Sequence, residues 1–188
     1  MKLIRLFTFI ALIALVAACG GESGDQQQQA AEEESAASDV RTIEMVGIDN
    51  MKFAVTGDSE GISVGEQAAS HDDLVLLESI TAQPGEEIRI ELTTRSQLPA
   101  TAMAHNWVLL SLDTDPQAFA NAAAQARDND YIPQDMTDSI LAETGLAGGG
   151  ETVSVTFTVP ETPGEYEYIC SFPGHFAAGM RGTLVVEG

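Results

Sequence analysis

Val153-Ser-Val155-Thr-Phe157-Thr-Val159 carries an apolar residue at every second position, with Ser or Thr between them. Successive side chains of an extended chain point to opposite faces, so this stretch predicts a strand with one buried and one solvated face. Working outward, runs rich in Val, Ile, Leu and Thr and bounded by turn residues predict further strands over 43–46, 74–80, 87–94, 106–112, 164–170 and 182–187. Short strands with regular turn signals and no internal repeat define an all-β fold, a Greek-key β-sandwich. One short helical insertion interrupts it: Asp115 is a suitable N-cap, Pro116 fits the first helical position, and an Ala-rich run continues to Arg127. Residues 57–73 are rich in Gly, Ser and acids and predict a long loop, in which His71 is solvated rather than a ligand.

The chain starts with Lys2 and Arg5, is apolar from Leu6 to Ala18, and places small residues directly before Cys19. These are the three parts of an export signal, and the apolar part is too short to span a bilayer. Its end resembles a bacterial lipoprotein box, which implies a signal over 1–18 and a lipidated Cys19. From there to residue 40 the chain is Gly, Ser, Gln, Ala and Glu without an aromatic residue, the composition of a flexible tether. Residues 41–188 then form one domain. The protein is therefore expected to be exported and lipid-anchored, on a periplasmic or extracellular membrane face.

With 29 acidic residues against eight basic ones, the formal charge is −21, and loss of the signal makes it more negative. That balance excludes nucleic acid and anionic headgroups as partners and would steer cationic ones. The chain has two cysteines. If Cys19 carries lipid, Cys170 has no disulfide partner, and an unpaired thiol in an exported protein calls for another role. Metal ligation supplies one.

Cys170-Ser-Phe-Pro-Gly-His175-Phe-Ala-Ala-Gly-Met180 puts a thiolate, an imidazole and a thioether on one loop between two predicted strands. With His105 upstream, these are the donors of a blue-copper site, in which soft sulfur suits Cu(I) and imidazole suits Cu(II). Only His71 remains after His105 and His175, too few donors for the additional metal site of an oxidase or reductase. An enzyme with a small-molecule substrate is not expected.

The loop, together with Leu98-Pro-Ala-Thr-Ala-Met103-Ala104-His105-Asn106-Trp107-Val-Leu, Asp130-Tyr-Ile, Gly150-Glu-Thr-Val and the echo Asn50-Met-Lys-Phe53, resembles the azurin and auracyanin branch of the cupredoxin family. The resemblance implies one type 1 copper ion held by His105, Cys170 and His175, with Met180 as axial ligand and the Ala104 carbonyl opposite it. It also implies that Asn106 ties the ligand loops together and that the backbone N–H groups of Asn106 and Phe172 reach the sulfur. Two departures stand out: Ala104 replaces a family glycine, and the spacing from His175 to Met180 is one residue longer than in azurin. Trp107 is read as core.

Both ligand segments, 96–112 and 168–180, lack charge, which predicts a neutral patch around His175 formed by Met51, Met103, Phe172, Pro173 and Ala177. The function implied is a one-electron shuttle between membrane complexes or soluble cytochromes c. Its alternative is an exported copper carrier with no electron-transfer role.

Overall fold

The structure is a computed structural model and describes residues 40–188. The expected signal (1–18) and all but the last residue of the expected linker (19–40) lie outside the described residues.

The strands are β1 (Arg41–Ile48), β2 (Lys52–Val55), β3 (Ile62–Gln67), β4 (Val75–Ala82), β5 (Glu87–Arg95), β6 (Ala104–His105), β7 (Val108–Leu110), β8 (Ile140–Glu143), β9 (Ala147–Gly148), β10 (Thr152–Thr158), β11 (Gly164–Ile169) and β12 (Arg181–Val186). The helix α1 (Pro116–Ala123) is the one α-helix among the described residues. The main sheet runs β10-β5-β1-β2-β4-β12-β11-β7-β8, with β3 against β4 and a separate β6–β9 ladder. Its two end strands, β10 and β8, touch, so the sheet folds over on itself as a Greek-key β-sandwich. Parallel pairing of β1 with β5 and of β4 with β12 excludes hairpin connections there, because parallel neighbours need a crossover.

Alternation sets the register. Ile43 and Met45 on β1 lie opposite Ile90 and Leu92 on β5, which in turn face Val155 and Val153 on β10. Ile90 and Leu92 are fully buried. Val153, Val155 and Phe157 alternate as the sequence predicts but are only half-buried, because β10 ends the sheet path. Trp107, Tyr168 and Leu184 fill the centre of the core. The Trp107 ring stacks between Phe157 and Tyr168 at 5.5 Å from each.

Asp115 caps α1 by accepting from the N–H groups of Gln117 and Ala118, as the sequence predicts. The helix stops at Ala123 instead of reaching Arg127. Its buried stripe is Phe119 and Ala123, one turn apart, and Ala124 to Arg127 are half-buried or exposed. The stripe packs on Val108, Leu110 and Ile169, so β7 is covered on both faces and all three of its residues are buried.

The predicted strand over 106–112 is shorter, since Asn106 and Trp107 lie between β6 and β7. The loop predicted over 57–73 contains β3, a half-buried edge strand whose Ile62 and Val64 pack on the core. Register shifts against β4 and Gly65 within the strand obscure its alternation. β2 and β8, four residues each, are too short for a periodic signal.

Truncating Ile90 to Ala should lower the unfolding free energy by about 2–5 kcal/mol, read as a lower urea midpoint at unchanged slope. Trp107 is fully buried and its Nε1–H has no partner among the described residues. Its emission is expected to be strongly blue-shifted and to move red only in the same unfolding transition.

Candidate metal centre

Strand pairing brings the two ligand segments together. β11 runs antiparallel to β7 with Ile169 opposite Val108, which carries the next residue, Cys170, alongside the segment that precedes β7. That segment is β6, where His105 pairs with Ala147 and Ala104 with Gly148. The buried Thr94 hydroxyl donates to the Ala147 carbonyl at 2.9 Å, fixing this small ladder to β5.

The loop from Cys170 to Met180 is closed by its own backbone. Its N–H groups donate from His175 to Phe172, Ala178 to Gly174, Gly179 to Phe176, Met180 to His175 and Cys170 to Met180, at 2.8 to 3.1 Å. Gly174 and Gly179 both have φ of 87°, a left-handed conformation that disfavours any side chain. The start of the loop is clasped from outside: Asn106 Nδ2 donates to the Ser171 hydroxyl and the Ser171 N–H donates to Asn106 Oδ1, both at 2.8 Å and both buried.

His105, Cys170 and His175 converge in one buried cluster. The two Nδ1 atoms are 3.2 Å apart, and Cys170 Sγ lies 3.4 Å from His175 Nδ1 and 4.0 Å from His105 Nδ1. A point equidistant from these three atoms lies about 2 Å from each, close to the length of metal–imidazole and metal–thiolate bonds. Among the described residues His105 Nε2 is buried without a partner, so there the ring's polar contacts are with the cluster alone. The donor set fits copper, one soft sulfur with two imidazoles. His71 lies between β3 and β4, outside the cluster.

Burial dominates the electrostatics. It lowers His105 to about 3, helped by His175, and lowers His175 to about 4. It pushes the Cys170 thiol up to about 12, against the opposing pull of the Asn106 and Phe172 backbone N–H groups on the sulfur. At neutral pH the three donors are thus uncharged, and a cation is what stabilises the thiolate.

Ala104 and Met180 are fully buried in the same core cluster as Cys170 and Phe172. The Met180 backbone is bonded to both Cys170 and His175. The Phe172 ring stacks on His175 at 4.7 Å and meets Tyr131 at 5.0 Å.

Sequence reasoning missed Gly47. A Cβ there would come within 2.6 to 3.0 Å of three carbons of the His105 side chain, so β1 must present glycine for the imidazole to lie against it. The available signal was a glycine inside the apolar run Val46-Gly-Ile48, a mark of close approach. Ser171 was also missed.

A buried sulfur-and-imidazole cluster at one end of a Greek-key sandwich defines the class of small copper-binding β proteins. Residues 64–187 match the family described as copper binding proteins, plastocyanin/azurin family, and the chain belongs to this family, the cupredoxins. It is 39% identical over 123 residues to auracyanin-B of Chloroflexus aurantiacus, a match covering 64% of this chain and 51% of that relative. It is 40% identical over 104 residues to azurin iso-2 of Methylomonas sp., covering 54% and 78%. The solved structure of auracyanin A, a "blue" copper protein of Chloroflexus aurantiacus, superposes with a TM-score of 0.58 at 32% identity. That superposition covers 78% of this chain and 98% of the other.

Replacing Gly47 with Ala should displace the His105 ring. The expected cost is about 1–3 kcal/mol of stability, together with a changed copper spectrum. An unaltered spectrum would show that the ring position does not depend on β1.

Proposed function

We propose that the protein is a one-electron carrier and not an enzyme, with His105, Cys170 and His175 as equatorial copper ligands and Met180 as the axial one. The Ala104 carbonyl is the weak contact opposite Met180, and the Asn106 and Phe172 N–H groups tune the sulfur. Bound copper supplies the Cu(I)/Cu(II) couple. The observation that carries the reading is the burial of all three converging donors, none more than 2% exposed, on loops closed by hydrogen bonds. Such a site resists rearrangement between oxidation states and favours electron passage over release of the metal, against the copper-carrier alternative.

His175 is nearly sealed, while Pro173, Gly174 and Ala177 around it are exposed and Met51 is half-buried. We assign this uncharged rim to brief contact with redox partners such as a cytochrome c or a membrane complex, with the acidic flanks steering approach. Cys19 is the proposed lipid anchor at an exported membrane face. The linker joins the sandwich at Arg41, the start of β1, and Gly47 near its far end meets His105. Arg41 and the site therefore lie toward opposite ends of β1.

Adding Cu(II) to the purified chain should give an intense thiolate-to-copper band with small copper hyperfine splitting, bleached by ascorbate and absent in Cys170→Ser. A pale, ordinary Cu(II) spectrum in both would overturn the ligand assignment, and rapid copper loss to a chelator would favour the carrier. Ala177→Lys should slow electron exchange with a basic cytochrome c about tenfold while leaving the spectrum unchanged. Equal rates would misplace the contact rim.

A further inference from the structure

Lys52 is the one lysine of the described residues, and it opens β2 directly beside the ligand loop. Its ammonium group donates to the Ala178 carbonyl at 2.5 Å. The same group covers Gly179, where a Cβ would come within 2.5 Å of Nζ. Ala178 and Gly179 end the turn that leads into Met180. The backbone bonds inside the turn leave the Ala178 carbonyl free, and among the described residues no donor other than Lys52 reaches it. Arg181, which opens β12, holds its guanidinium 5.0 Å from the centre of the Phe176 ring on that turn, while pairing with Glu167 at 3.4 Å. The cleft between the two cations, about 540 Å³, is lined also by Glu78 and Glu167. A chain with few basic residues thus spends two of them on this one turn.

We propose that Lys52 is a positioning residue for the metal centre. It clamps the turn that carries Met180 and holds a positive charge against that turn's backbone. The proposal rests on the copper reading given above. Asn106 and Ser171 fix the start of the loop, and Lys52 fixes its end, across the longer spacing between His175 and Met180. A thioether is a weak axial donor, so its distance is set by how firmly the backbone of Met180 is held. A fixed cation nearby also disfavours the more highly charged oxidation state, which raises the reduction potential.

Lys52→Met keeps the length of the stem and removes both donor and charge, whereas Lys52→Arg keeps both. In the copper-free full chain, amide hydrogen exchange at Gly179 and Met180 should be about tenfold faster in Lys52→Met than in wild type, and close to wild type in Lys52→Arg. In the copper-loaded chain, Lys52→Met should show a lower reduction potential and a changed hyperfine splitting, both restored by arginine. Exchange within about twofold of wild type together with an unchanged potential would overturn the proposal. Faster exchange that arginine fails to reverse would overturn it too. If wild type takes up copper without the intense band, the copper reading fails by itself, and exchange in the copper-free chain still decides the role of Lys52.

Discussion

A thiol with no solvent exposure beside two buried imidazoles is the constraint on which this molecule is built. Burial opposes charge on each of the three groups, pushing Cys170 up to about 12 and His105 and His175 down to about 3 and 4. The cluster is therefore neutral without a cation. Under the proposed function, Cu(I) on a thiolate would cancel its charge and Cu(II) would leave a single positive one, so the carrier would change its buried charge by one unit without an unpaired anion in the core, the costlier state. The N–H groups on the sulfur serve the same end by favouring the thiolate before partners or solvent contribute.

Holding that cluster requires two ligand segments to meet from different parts of the chain, and the sandwich supplies the meeting point. β7 and β11 are adjacent, so the residues that follow one and precede the other are neighbours at the same end. α1 covers the outer side of this pair through Phe119 and Ala123. The strands that aim Cys170 and His105 are thereby packed on both faces. β1 approaches from the other layer with Gly47 against the imidazole, and β5 reaches the β6–β9 ladder through Thr94. The two ligand segments are braced by separate elements, so a disturbance in one is not simply absorbed by the other.

How much of this was legible depends on whether a residue's role is local. The alternation of Val153, Val155 and Phe157, the Asp115 and Pro116 start of α1, and the donor spacing within 170–180 are local patterns, and they reappear in the structure. β3 was hidden because an edge strand with one weakly buried face and register shifts loses its period. The end of α1 was hidden because alanine favours helix whether or not a face is buried, and here packing ends before propensity does. Asn106 was legible through family resemblance, whereas its partner Ser171 was not singled out. Gly47 and Lys52 act across 58 and 126 positions of sequence, and no local pattern announces which residue will face them.

The same separation governs charge. A net charge of −21 costs self-repulsion in the compact state, yet both ligand segments are free of acids and two of the few cations grip the loop between them. A negative field favours Cu(II), so carboxylates next to the donors would lower the potential and would also attract water to a site that works dry. Under the proposed function, keeping them on the flanks would retain their long-range effect on a cationic partner, over roughly a Debye length of 8–10 Å, without placing them in the contact. Within β1, Arg41 at the linker junction and Gly47 against the histidine are separated by roughly 20 Å of extended chain. That length exceeds the screening distance, so charge at the Arg41 end of the sandwich acts only weakly on the donors, and the residues packed around them set their environment.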